Sequence, residues 1–289
     1  MTHRAEGKAK LALLTSMVIF GTIGIFRRYL PLPSGMVAFV RGLIGTLFLL
    51  FLLGVKKQRV SGAAVRKNLW VLLLSGIFIG FNWILLFESY QYTTVATATL
   101  CYYMAPILVI FGSALLLRER LTKKKAGCAL VALMGMVLVS GVLETDFSGL
   151  AEMKGVFLGL GAALLYASVI LLNKKLREIN AYDKTIVQLA AAAAVLFPYT
   201  FLVENWSGVT WSPLILGMLF LVGVAHTGLS YALYFGSMEG LKAHTIALYS
   251  YLDPIVAIVL SALFLQENMS ISGIVGAILI LGATMISER

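Results

Sequence analysis

The chain is poor in the residues that keep proteins soluble and make them reactive. Only 12% of its 289 residues are charged, against 60% that are hydrophobic, a balance far from soluble globular usage and typical of chains that cross a membrane repeatedly. A soluble core has no room for that much apolar surface. Its three histidines, His3, His226 and His244, show no metal-ligand spacing with cysteine or carboxylate residues, so no metal and no cofactor is expected. Its two cysteines, Cys101 and Cys128, fall in apolar segments roughly 15 to 20 Å apart in depth. A disulfide needs Cα atoms within about 7 Å and is excluded. H-E-x-x-H, G-x-S-x-G, a phosphate loop and a convincing Ser/His/Asp set are all missing, so an enzyme is not expected. Acidic residues number 13 against 23 basic ones, but the basic residues cluster between apolar runs and lack the interleaved aromatics of a nucleic-acid face. Basic loops beside a membrane account for them, and nucleic acid is not an expected partner. The first apolar run follows Lys8 and Lys10 as in a signal peptide, yet no small-x-small cleavage site follows, and it reads as an anchor.

What the chain does have is apolar length. A bilayer crossing needs about 20 mostly apolar residues, and ten segments qualify: 10–28, 34–54, 69–89, 95–117, 124–143, 155–173, 184–203, 212–236, 243–265 and 270–287. With the N-terminus cytoplasmic, 19 of the 23 Lys and Arg residues fall on the cytoplasmic side. The other side receives Arg27, Arg28 and Lys154 beside acidic Glu144, Asp146, Glu152 and Glu204, and Arg41 is left inside a segment. This asymmetry predicts an integral protein of a prokaryotic cytoplasmic membrane, in contact with lipid, with both termini cytoplasmic.

The chain also repeats itself. Val95 to Glu119 and Ala243 to Glu267 align without gaps at an offset of 148, with Thr97, Tyr103, Pro106, Ser113 and Glu119 recurring as Thr245, Tyr251, Pro254, Ser261 and Glu267. Phe20 to Leu30 matches Tyr166 to Leu176 in kind, setting Arg28 against Lys174. The predicted fold is therefore all-α: ten transmembrane helices as two five-helix repeats, 1–147 and 148–289, around a central cavity. Related segments four and nine are threaded oppositely, the inverted-topology device of secondary transporters.

Candidate functional residues gather near the middle of these segments. A helical proline removes the hydrogen bond to the carbonyl four residues back, so Pro106 frees the Tyr102 carbonyl and Pro254 that of Ser250. Carbonyls freed at mid-depth must face protein or a water-filled cavity; the alternative is a packing kink satisfied by a nearby Ser or Thr. Both prolines are candidate hinges. Tyr102, Tyr103, Tyr249 and Tyr251 lie beside them and can cover an apolar ligand while hydrogen-bonding its head. His226, Ser230, Tyr234 and Ser237 follow helical spacing as one polar stripe, with a thinner counterpart in Asn82 and Ser89. Asp253 is a mid-depth carboxylate, costing about 2.5 to 3.5 kcal/mol on insertion scales. It reads either as a proton- or cation-responsive site or as a structural aspartate bonded to a neighbouring helix. Arg41 is expected to snorkel outward or pair with Glu88 rather than meet substrate. Glu119 and Glu267 are expected to fix loop geometry, and Gly76/Gly80 and Gly155/Gly159 to allow close helix packing.

Ten segments in two halves, Phe20-Gly21 and Tyr166-Ala167 early in each, Ala105-Pro106 and Asp253-Pro254 followed by apolar runs to Glu119 and Glu267, and glycine-bearing final segments together resemble the drug/metabolite transporter superfamily, EamA-type branch. The resemblance covers essentially the whole chain. It implies a cavity lined mainly by helices 1, 3, 4, 6, 8 and 9. It marks Phe20, Tyr166, Asn82, Trp83, the tyrosines near Pro106 and the eighth and ninth segments as substrate candidates. It further implies export of an amino acid or other small amphipathic metabolite, by a monomer or homodimer, with proton coupling one option. An importer of a vitamin or nucleoside, a scaffold and an intramembrane enzyme are the alternatives.

Overall fold

The structure is a computed structural model that describes residues 3–116, 122–139, 150–207, 209–238, 241 and 243–288. The expectations placed on Glu119, Glu144 and Asp146 lie outside these residues.

All regular structure among the described residues is helical. The chain rises through α1 (His3–Gly21) and α2 (Ile23–Arg28), interrupted at Thr22, and returns through α3 (Ser34–Val55). The first turn of α3 borrows its cap from far along the chain: the Glu204 carboxylate accepts from the Gly35 and Met36 N–H groups at 2.6 and 3.0 Å. Burial pushes the Glu204 carboxyl above its ordinary range despite these two bonds. Next come α4 (Gly62–Tyr92), the broken pair α5 (Val95–Tyr102) and α6 (Ala105–Leu116), and α7 (Lys123–Val139). The second half runs through α8 (Leu150–Asn173), α9 (Ala181–Leu202) and α10 (Pro213–Gly223), a π-helical turn over Val224–Leu229, and α11 (Ser230–Met238). The broken pair α12 (Ala243–Ser250) and α13 (Leu252–Phe264), then α14 (Ile271–Glu288), end it. Side-chain oxygens of Ser61, Thr94, Asn180 and Ser212 cap α4, α5, α9 and α10, satisfying amides that a helix start leaves open.

Among the described residues, seven helices are long and apolar enough to cross a membrane. Not every expected segment is one continuous rod: the ninth is two helices meeting at Tyr251, and neither is long enough alone. The outer surface is apolar, with Trp70, Leu115, Leu202 and Ile271 each more than 80% exposed, as suits helices bathed in lipid rather than water.

The packing comes in matched pairs. The helix α4 packs on α8 as α1 packs on α11, α4 on α9 as α3 on α10 and the π-turn, and α6 on α8 as α1 on α13. The α7–α14 and α3–α9 pairs are each their own counterpart. Glycines set the closest approaches. A Cβ added to Gly276 would lie 2.5 Å from the Gly135 carbonyl oxygen, and one on Gly135 would lie 2.7 Å from that of Gly276, so α7 and α14 cross backbone to backbone. Added to Gly76, a Cβ would meet the Gln188 carbonyl oxygen at 2.5 Å, and added to Gly159, Cys101 Cβ at 2.8 Å. Cys101 and Cys128 are free thiols.

Polar contacts mark the two ends of the bundle. At one, Lys67 bonds Glu178 at 2.7 Å and Asn68 bonds the backbone of Arg177; the Lys67 ammonium holds the exposed Glu178 carboxyl below its ordinary range. At the other, Arg28 and Arg27, the two cations out of place by charge count, both have partners. Arg28 Nη2 bonds Glu267 Oε1 at 2.7 Å and the Thr93 carbonyl at 2.9 Å. Arg27 donates to the Leu30 carbonyl at 2.7 Å and to Ser34 Oγ at 2.9 Å. Glu267 also accepts from Val95 N–H at 2.8 Å and from the Ser261 hydroxyl. It therefore ties the ends of α2, α5 and α13 together.

Candidate functional site

The breaks in α1/α2, α5/α6 and α12/α13 face a common space, a cavity of about 530 Å³ lined from both halves of the chain. That volume suits a small solute. The backbone there is irregular for a local reason. Before Pro106, α5 ends at Tyr102, Tyr103 and Met104 turn back on Thr99 and Cys101, and α6 restarts at Ala105. Before Pro254, α12 ends at Ser250 and α13 begins at Leu252. Gly21 lets α1 reach this second break, since a Cβ there would lie 2.7 Å from the Asp253 carbonyl oxygen.

The Ser250 carbonyl that Pro254 releases is capped from the other half of the chain. The Tyr103 hydroxyl lies 3.3 Å from it and 2.9 Å from Asp253 Oδ2. A phenol has one proton to give, so the carbonyl and the carboxylate compete for it. Asp253 thus meets the structural reading, bonded to a neighbouring helix, in a geometry that also responds to its own protonation. Were Asp253 to carry a proton, it would donate to the tyrosine oxygen and leave the hydroxyl proton to the carbonyl.

Of the residues singled out by sequence, Phe20, Asn82, Trp83, Tyr102, Tyr103, Tyr166, Tyr234, Tyr251, Asp253 and Pro106 line the cavity. The rings of Tyr102 and Tyr166 lie 5.3 Å apart and those of Phe20 and Tyr231 5.4 Å apart, forming an aromatic wall. Asn82 already spends a donor, bonding the Ala162 carbonyl at 2.6 Å. His226, Ser230, Tyr249 and Pro254 are not brought to the wall. His226 Nε2 meets Thr22 Oγ1 at 2.8 Å, and its ring lies edge-on to Phe26 at 4.9 Å. Ser230 donates to the Ala225 carbonyl at 2.8 Å. The stripe expected from His226 to Ser237 assumes α-helical phase throughout. The π-turn over Val224–Leu229 inserts a wider turn and shifts the phase of His226 against Tyr234, whereas Ser230, one turn before Tyr234 in α11, spends its hydroxyl on the Ala225 carbonyl. Tyr249 shares a turn with Asp253 only in an unbroken helix, and the break at Tyr251 separates them.

Arg41 corrects the sequence reading most. It neither snorkels nor pairs with Glu88, which accepts instead from the Ser34 hydroxyl at 2.5 Å. Arg41 is 5% exposed and lines the cavity. Its Nε–H bonds Thr227 Oγ1 at 2.8 Å, and its guanidinium lies 4.3 Å above the Trp83 ring and 5.7 Å from that of Phe87. Tyr90 and Tyr231 were also missed on the wall. The repeat offset would have found Tyr231, since it is the counterpart of Trp83 at 148 residues.

Comparison with known proteins bears on what such a cavity serves. The EamA-like transporter family matches the chain twice, over residues 7–141 and 153–288. An uncharacterized transporter, YxxF, of Bacillus subtilis is 31% identical over 91% of this chain and 84% of its own. Protein PecM of Dickeya dadantii is 27% identical over 76% of this chain and 74% of its own. A crystal structure 19% identical in sequence superposes with a TM-score of 0.67 over 97% of this chain and 96% of that one, sharing the fold.

Proposed function

The chain belongs to the EamA-like transporter family, and from that premise we propose that it is a secondary transporter that carries a small amphipathic metabolite, such as an amino acid, out of the cell by alternating access. The observation that carries this reading is the closed set of broken helices from both halves around one cavity of solute size. Ten helices in two oppositely threaded repeats, 1–147 and 148–289, are supported by the double family match and by the exchange of packing partners between the halves. Both termini lie in the cytoplasm of a prokaryotic cell, and the protein works as a monomer or homodimer. Phe20, Trp83, Tyr102, Tyr103, Tyr166, Tyr234 and Tyr251 form the substrate wall with Tyr90 and Tyr231, Asn82 braces it, and His226, Ser230 and Tyr249 support it from behind. Pro106 and Pro254 are the hinges.

The contest for the Tyr103 proton supplies a route for proton coupling. Protonated Asp253 leaves the Tyr103 hydroxyl to the Ser250 carbonyl and keeps the break capped; ionised Asp253 draws the hydroxyl away and loosens it. The test is a flux screen in sealed proteoliposomes across amino acids, nucleosides and vitamins, with and without an imposed pH gradient. Outward flux of an amphipathic amino acid or a solute of similar build, driven by the gradient in the wild type and indifferent to it in Asp253→Asn, is the expected result. No flux of any compound would overturn the transporter reading, and uptake without efflux would overturn the direction.

A further inference from the structure

Within the cavity one charged group is left looking for a partner. Arg41 stands on α3, the second of the ten expected segments and outside the set that the family resemblance assigns to the cavity, and it is buried about a third of the way along that helix, where an unpaired charge is costly. Thr227 takes the Nε proton. Trp83 and Phe87 cover the guanidinium face, which engages its charge but none of its N–H groups. No other protein acceptor and no carboxylate within ion-pair distance meets its remaining N–H groups among the described residues. Asp253, Tyr90, Tyr102 and Tyr231, all on the cavity wall, are near enough to interact with it electrostatically. The guanidinium is thus held in place from behind and beneath, with the other edge of its planar fork toward the space a solute would fill.

We propose that Arg41 is the anion receptor of the cavity, and that the solute it selects is an organic carboxylate with an apolar body. This rests on the transporter reading for its purpose, but not for its test. A carboxylate matches the fork with two oxygens in one plane. A phosphate dianion fits less well, because one cation would have to neutralise two charges in a space that also holds Asp253. The rest of the wall, dominated by Tyr, Trp and Phe, offers an apolar surface for the body of the solute. Trp83 acts through Arg41 as a positioning residue: stacked beneath the guanidinium, it fixes the plane of the fork.

Binding to the full-length protein in detergent decides the matter without any flux measurement. The probes are three acids of increasing body size, propionate, 3-phenylpropionate and octanoate, each beside its uncharged primary amide, followed by calorimetry or by tryptophan fluorescence. The wild type is expected to bind at least one acid at least tenfold more tightly than its amide. Arg41→Gln should abolish that preference while changing amide binding less than threefold, and Arg41→Lys should restore part of it. Equal binding of acid and amide, binding of amides alone, binding of no acid in the series, or equal weakening of both by Arg41→Gln would each overturn the proposal. If Arg41→Gln does not fold, the acid-to-amide ratio in the wild type and in Arg41→Lys decides alone. A protein that binds acids through Arg41 yet moves nothing across a sealed membrane would retain its anion receptor and lose the transport reading, so the two failures are distinguishable.

Discussion

Replacing Tyr103 by phenylalanine removes one hydroxyl that serves two acceptors in the opposite half of the chain. Interhelical hydrogen bonds inside membranes contribute about 0.6 kcal/mol each on average and up to about 1.7. The 2.9 Å contact with Asp253 and the 3.3 Å contact with the Ser250 carbonyl share one proton and do not add, so Tyr103→Phe should cost about 0.6 to 1.7 kcal/mol. The second background is Pro254→Ala. Residue 254 then regains an N–H, which can reach the Ser250 carbonyl four residues back, and the tyrosine cap on that carbonyl becomes redundant. Tyr103→Phe should therefore cost about 0.5 kcal/mol less in Pro254→Ala than in the wild type. The measurement is a double-mutant cycle on equilibrium unfolding in mixed micelles, each variant at the same lipid-to-detergent ratio. Strict additivity, or a Tyr103→Phe change without effect in either background, would refute the claim that this hydroxyl caps the proline break.

Three other outcomes test the frame around the cavity. Gly276→Ala drives a methyl group against the Gly135 carbonyl, where backbone must move to admit it, and should lower stability by about 1 to 3 kcal/mol, whereas Gly282→Ala, whose Cβ meets nothing within 4 Å, should be neutral in the same melt. Glu204 gives a pH limb with a definite sign. Its carboxyl is raised above the ordinary value of 4.5, so the folded chain holds that proton more tightly than the unfolded one. The stability this contributes is complete below the unfolded value and is lost as pH rises through the folded one. Glu204→Gln should flatten that part of the stability curve, and an unchanged curve would count against the burial of this carboxyl. Glu267→Gln should cost about 1 to 2 kcal/mol, discounted for the partial exposure of the Arg28 pair. Raising salt should narrow the gap to the wild type, and a gap insensitive to salt would assign the loss to the neutral bonds of Glu267 alone.

The sequence carried depth well and azimuth poorly. Apolar run lengths located the seven long apolar helices among the described residues, and Pro106 and Pro254 located the breaks beside them, because both are one-dimensional quantities. They also brought most of the aromatic wall into view, since the tyrosines sit beside the breaks. Arg41 was misread because its depth is visible in the string but the direction of its side chain depends on which neighbour packs on α3. Here the π-turn supplies Thr227 and α4 a tryptophan ring, rather than a carboxylate. His226 was placed on the wrong face for a subtler reason: the stripe assumed 3.6 residues per turn through Val224–Leu229, where the chain adopts a π-turn. Nothing in the string VAHTGL announces the change of pitch.

The Glu267 carboxylate bears on rates as well as on stability. It grips Arg28, the Val95 amide and Ser261 at once, so α2, α5 and α13 cannot part there one at a time without stranding a charge. Opening at that end is then all or none, with every bond broken before any is replaced by water. Such a step carries a large activation enthalpy, and turnover limited by it would be steeply temperature dependent. Glu267→Gln should flatten an Arrhenius plot of transport even where the rate at one temperature barely changes.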